Sequence, residues 1–367
     1  MSVRLILPVL ALLALPMLVA ADCGGIPDDD DTVNAAPPPS ILVVAPESGE
    51  TDVAPTDLIW VRFDVAPTTA DITIEPAVAG AVELAESGRR VAYTASAALA
   101  PDTTYTATIS WSWSDGSDSA PWEFTTGPYG TPLEQAAIDG LIGTTFELNL
   151  ADADFIEPEG IGSVLGGVLA DTPLMFTMLD TSDLGAGDVH IMGAVGVQKV
   201  EPVEQDLCSS TLPFTYGPDG ALGGGDDTTA AWANPDISME GSDLRLIVAG
   251  NTVNVFEMSL AATFHPDGTR YAAGAFAGTI DARDIRDLGE TICDLATCEA
   301  CDSDGEPWCL DLHAVNVRGE THDFPIVERL CHDIIQEDLD DVGCEGAAES
   351  YTVEGEDGYP GCGTWVQ

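Results

Sequence analysis

Apolar side chains recur at every second position in many segments between Ile59 and Asp281, and that period restricts the chain to packed β-sheets. In "DLIWVRFD" Ile59, Val61 and Phe63 share one face, while Trp60, Arg62 and Asp64 share the other. "TYTATISWSW" puts Tyr105, Ala107, Ile109, Trp111 and Trp113 on one side. "TTFELNL" repeats the pattern with Phe146, Leu148 and Leu150, "TPLMFTML" with Leu174, Phe176 and Met178, and "DVHIMGAVGVQ" with Val189, Ile191, Gly193, Val195 and Val197. A meander follows: "DLRLIVAG", "TVNVFEMSLAATF", the turn "HPDG" and "TRYAAGAFAGTID". Strands joined by turns this tight pair antiparallel. The length, 367 residues, suits about two domains.

The first of these is expected over 41–127. Its short strands, the turn "DGSDSAP" and the closing segment "WEFTTG" have the spacing of a β-sandwich. The residues "ESGETDVAPTDLIWVRFD", "LAPDTTYTATI" and "WEFTTG" also resemble the bacterial Ig-like domains of S-layer and cell-surface proteins. Within that resemblance Leu99, Pro101 and Tyr105 look like the corner where a tyrosine locks the last strands. The family implies a spacer or adhesive module and carries no shared catalytic residues. Trp60, Trp111, Trp113 and Trp122 read as core or sheet-surface packing, with carbohydrate stacking as the alternative.

The second domain, 128–367, reads as a larger antiparallel curved sheet or partial barrel with a few helices and disulfides. The small residues Ala272, Ala273, Gly274, Ala275, Ala277 and Gly278 permit strong curvature. One helix is expected near 132–140, with Thr131 as cap, Pro132 in the first turn and Glu134 reaching back. Another is expected near 326–338, where Val327, Leu330, Cys331, Ile334 and Ile335 follow a helical stripe.

Residues 1–22 have the layout of a signal peptide: one base, Arg4, then an apolar run broken by Pro8 and Pro16. Either an ordinary signal peptidase cuts after Ala21, or "AADC" serves as a lipobox and Cys23 is acylated. Residues 23–40, acidic and proline-rich, read as a disordered tether. Nine cysteines are present, and setting Cys23 aside as a lipid anchor leaves an even set: Cys208, Cys293, Cys298, Cys301, Cys309, Cys331, Cys344 and Cys362. In an exported chain these are expected as disulfides rather than as a zinc site, in connectivities the spacing does not decide.

Acids outnumber bases by 63 to 11, and Lys199 is the one lysine. A net charge of −52 excludes nucleic acid as a partner, because phosphate binding needs clustered cations. The acidity fits a saline habitat or calcium capture. For calcium, Asp302, Asp304 and Asp311 fall at loop positions around Gly305, although Ala300 occupies the first position. No other cofactor is expected. No catalytic residue is identified: His190, His265, His313, His322 and His332 form no H-E-x-x-H, and "GIGSVLGG" lacks nucleophile-elbow spacing.

These observations point to an exported bacterial envelope or cell-surface protein, an outer-membrane or cell-surface lipoprotein or otherwise secreted or periplasmic. It would be a structural, adhesive or binding module without catalysis, whose partner is an envelope protein or polysaccharide, with the membrane reached through the lipid on Cys23. The alternatives are a carrier of an apolar small ligand, with a cavity lined by residues such as Phe176, Val195 and Phe256, and a secreted hydrolase.

Overall fold

A computed structural model describes residues 37–150, 153–158, 173–180, 184, 187–197, 202–209, 211–213, 230–248, 251–284, 289–329, 333–334, 336–337 and 344. The signal peptide, most of the tether and Cys23 lie outside them, as do Cys331 and Cys362. Among the described residues no helix is long and apolar enough to cross a membrane.

The first seven strands form a two-sheet sandwich. They are β1 (Ile41–Ala45), β2 (Ile59–Phe63), β3 (Thr69–Glu75), β4 (Gly80–Ala85), β5 (Arg90–Ala95), β6 (Thr104–Trp113) and β7 (Gly116–Thr125). One sheet has the order β1-β2-β5-β4 and the other β3-β6-β7. The alternation does what the pleat requires: Ile59, Val61 and Phe63 of β2 face Ile109 and Trp111 of β6 across a sealed core. Phe63 and Trp111 meet with ring centroids 5.3 Å apart. Trp111 and Trp122 are buried, and Trp113 packs partly buried against the same core. The expected tyrosine corner forms: Tyr105 is buried and its hydroxyl accepts the Ala100 N–H at 2.8 Å.

A closed barrel follows. Helix α1 (Gln135–Leu141) leads into β8 (Thr145–Leu148), β9 (Asp154–Glu157), β10 (Leu174–Asp180), β11 (Asp188–Val195), β12 (Leu212–Pro213), β13 (Ala230–Ala233), β14 (Asp236–Val248), β15 (Asn251–Phe264) and β16 (Arg270–Asp281). Helix α2 (Gly289–Leu295) and β17 (Cys309–His322) complete it. Eight strands pair in a ring, β8-β17-β16-β15-β14-β13-β11-β10, and β10 pairs back to β8. The sheet is therefore fully closed rather than partly so, which leaves the ring without an unpaired edge.

Bulges curve the long strands. Glu257, Ala273 and Asn316 have φ of 49°, 52° and 57°, and each sits where its strand's register shifts. An extra residue in the left-handed region bends a strand and raises its twist. Inside, Phe146 stacks on Phe176 at 5.3 Å and meets Phe264 edge-on at 5.1 Å. Tyr271 adds its ring, and its hydroxyl donates to the Glu147 carbonyl at 2.8 Å. Gly319 makes this packing possible, since a Cβ there would stand 2.2 Å from the Tyr271 ring and 2.0 Å from the Glu147 carbonyl.

Three expectations are corrected. The three residues named for a cavity lining do not share one face: Phe176 and Val195 are buried in the core, and Phe256 points outward, 39% exposed. Helix α1 starts at Gln135, with Glu134 as a cap residue that makes no side-chain bond. Asn234 explains the delay, since its side-chain amide accepts from the Leu133 N–H at 2.8 Å and donates to the Leu133 carbonyl at 3.1 Å. That fork holds the segment outside the helix. The C-terminal helix does not begin at 326: residues 325–329 are irregular and 333–334 and 336–337 are helical. Val327 is exposed, because its N–H and carbonyl are claimed by the Gln205 side chain at 2.8 Å each.

Candidate functional site at the seam between sandwich and barrel

The densest polar chemistry among the described residues lies where the two domains meet. Strand β17 carries its centre. Leu310, Leu312 and Ala314 point inward, the bulge at Asn316 inserts one residue, and inward positions resume at Val317. The bulge frees the Asn316 side chain to act as a piece of backbone. Its oxygen accepts the Leu58 N–H at 2.9 Å, and its nitrogen donates to the Leu58 carbonyl at 3.3 Å and to Asp154 Oδ2 at 2.6 Å. The same Asp154 oxygen accepts from Trp60 Nε1 at 2.9 Å.

Two residues on, Arg318 reaches into the sandwich. It pairs with Glu50 at 2.6 Å and with Asp57 at 3.1 Å. Asp57 also accepts the Ala54 N–H at 3.1 Å. Burial pushes the Asp57 carboxyl up to about 6, against the pull of Arg318. Burial likewise raises Asp154, opposed by its bonds from Trp60 and Asn316. Nearby, Arg270 of β16 binds Asp52 at 2.9 Å, and the Tyr129 hydroxyl donates to Asp52 at 3.1 Å. Burial and the Asp52 charge push Tyr129 up to about 12. An apolar contact of Ala54, Tyr129 and Ala272 lies beside them, with Ala273 at the β16 bulge packed against it.

Sheet β1-β2-β5-β4 supplies the rest. Its outer face offers Trp60 and Arg90, and Arg90 donates to the Ile156 carbonyl of β9 at 3.4 Å. Glu86, at the start of a short turn, holds Arg62 at 2.9 Å and Arg90 at 3.8 Å. Four of the chain's 11 basic residues, Arg62, Arg90, Arg270 and Arg318, thus gather at or just behind one seam in a chain of net charge −52. Charged donors sharing buried acceptors fix orientation strongly, so the arrangement is suited to holding two domains in one geometry.

Apart from Trp60, Ala272 and Ala273, the residues singled out by sequence lie elsewhere. Cys208 pairs with Cys344, Cys293 with Cys298, and Cys301 with Cys309. Asp302, Asp304 and Asp311 do not converge: Asp304 binds Arg283 at 2.6 Å and Asp311 accepts from Thr279 at 2.7 Å. Asp281 approaches Cys301 and Cys309, but both sulfurs are spent in their disulfide and Arg283 already occupies Asp281. His322 pairs with Glu147 and His265 with Asp267, each at 2.7 Å. The acids and arginines of the seam and Asn316 escaped the sequence reading because each is an ordinary polar residue, while Trp60, read there as packing or stacking, in fact bonds Asp154. Only the disturbed alternation in "LHAVNVRG" marks the bulge.

Comparison with known proteins bears on the sandwich. Residues 35–126 match the family of the bacterial Ig-like domain. No curated protein matches the chain. Among solved structures, the methionine-rich copper resistance protein PcoC from Escherichia coli is 18% identical over 24% of this chain and 97% of its own, with a TM-score of 0.22. CopC from Methylosinus trichosporium OB3b is 21% identical over 24% of this chain and 93% of its own, also at 0.22. The surface layer protein SbsC, domains 1–6, is 11% identical over 80% of this chain and 54% of its own, again at 0.22. Scores this low carry no inference about chemistry. The family match thus falls on the sandwich, whose strands run from Ile41 to Thr125.

Proposed function

We propose that the chain is an exported envelope or cell-surface protein that works by holding and presenting a barrel, not by catalysis. The observation that carries this reading is the seam: an Ig-like module is clamped to a disulfide-braced barrel through Asn316, Arg318 and Arg270. Three disulfides favour an oxidising compartment. The packed aromatic interior favours a barrel that serves as a rigid body whose outer surface meets an envelope protein or polysaccharide. Cys23 is the proposed lipid attachment point, with the residues up to Ser40 as a tether.

The test is intact-mass analysis of the protein purified from the membranes of an exporting bacterium, beside a Cys23→Ala variant. Acylation at Cys23, with release of the variant to the soluble fraction, is the expected result. A non-acylated chain recovered from the cytoplasm with reduced cysteines would overturn the reading.

A further inference from the structure

Where the sandwich meets the barrel, two carboxyl groups, the buried Asp57 and the partly buried Asp154, lie within one small area. The side chain of Asp57 is 1% exposed. Its Oδ2 accepts from Ala54 and Arg318, while its Oδ1 has no hydrogen-bond partner. The charges facing it are Arg318 from β17 and Glu50 from the sandwich, and Arg318 is shared between the two acids. Asp154 receives two neutral donors directly, Trp60 from β2 and Asn316 from β17, with Arg90 and Arg318 facing it. Counting the neighbouring pairs, the seam holds six acids, Glu50, Asp52, Asp57, Glu86, Asp154 and Asp267, against the four arginines, with His265 bonded to Asp267. A buried carboxylate oxygen without a donor is costly when charged and is satisfied when it carries a proton that can find an acceptor or water.

We propose that the seam is an acid-tightened latch: acids outnumber its arginines, Asp57 keeps one buried oxygen without a donor, and a proton taken up there tightens it when the medium turns acidic. The titration of the group agrees in sign. Asp57 stands at about 6 in the docked arrangement, against 3.8 for an ordinary aspartate, so the docked state binds the proton that the undocked state has released. The favourable contribution is fully present below the lower value and lost as pH rises through the upper one. With those two values, docking is about ten-fold stronger at pH 5 than at pH 7.5. Domain separation, not unfolding, is the step that gains or loses the proton.

The experiment is amide hydrogen exchange on the whole chain, read at Leu58, whose N–H bonds to Asn316 across the seam. Rates are corrected for the intrinsic pH dependence of exchange and compared at pH 7.5, 6 and 5. The expected result is protection that rises about ten-fold from pH 7.5 to 5 in the parent chain. The rise should be kept in Asp71→Asn, which removes an exposed acid on the far sheet, and largely lost in Asp57→Asn. Flat or falling protection overturns the latch, as does an equal rise in Asp57→Asn, which would assign the effect to general charge relief. Should Asp57→Asn fail to fold, carbon-13 titration of the Asp57 carboxyl in the parent chain decides: a midpoint near 6 supports the latch, and one at the ordinary aspartate value overturns it.

Discussion

The sandwich and the barrel both end as sealed apolar interiors, but they reach that state over different ranges of sequence. In the sandwich β3, β6 and β7 pair through complete unshifted ladders, β6 and β7 joined by a tight turn, and one tyrosine hydroxyl pins the corner. In the barrel the ring closes only when β8 meets β17 through Phe146 with Thr321 and Thr145 with His322. Register shifts interrupt β14, β15 and β16, and a disulfide spans 136 positions from Cys208 to Cys344. Closing long loops costs chain entropy before the contacts reward it. The barrel therefore leans on covalent braces and a dense aromatic centre, where the sandwich leans on local pairing.

That contrast can be tested hardest at the long disulfide. Replacing Cys208 and Cys344 together by Ser should cost about 5 kcal/mol on the chain-entropy estimate, against about 2 kcal/mol for Cys293 and Cys298, whose loop is short. Urea unfolding followed at barrel residues measures both. Equal losses would break the distinction.

Next comes Phe146→Ala, which empties the middle of the aromatic cluster and should cost roughly 3–5 kcal/mol. A loss under about 1 kcal/mol would mean that the interior tolerates a void and is not the packed body described. Calorimetry gives the value.

The seam responds to a charge removed from one side. Arg318→Ala leaves Asp57 buried without its cation and should cost about 2 kcal/mol at pH 7, a figure already reduced for the partial exposure of the guanidinium. Asp57 sits above the ordinary aspartate value, so its stabilising proton is held below pH 4 and lost as pH rises through about 6. The Arg318→Ala loss should accordingly shrink at pH 5. A loss independent of pH would show that Asp57 is not the group left stranded.

The smallest effect is expected in the sandwich. Tyr105→Phe removes the acceptor of the Ala100 N–H and should cost about 1–2 kcal/mol, while leaving the barrel's own unfolding step unchanged. Site-specific hydrogen exchange separates the two regions.

The same contrast explains what could be read in advance. The strands of the sandwich announce themselves because their parity never slips within β2, β3 or β6, but the turn expected over "DGSDSAP" is confined to Ser114 and Asp115, and residues 116–121 belong to β7, paired along β6. In the barrel, Phe146, Phe176 and Ile191 were legible for the same reason. Strand β17 was not: its inward positions run 310, 312, 314 and then 317, 319, so one inserted residue breaks the alternation in the middle. The neighbouring cysteines drew attention to loops instead. Asn316 and Arg318 became functional only through that slip, together with contacts more than 250 positions away in the chain. Helix α1 shows the reverse failure, in which a sound local start signal yields to Asn234, 101 positions on.

The clamp formed by Asn316 and Arg318 also has a mechanical meaning. A pull applied at Ile41 passes from β1 into β2, and from Leu58, beside β2, into β17. Strand β17 is bonded along 14 residues to its neighbours, so a load reaching it is passed on through many bonds to β16 and β9. A surface protein tethered at one end and gripped at the other would carry tension through this strand, and the first part to yield would be the junction, leaving both domains folded.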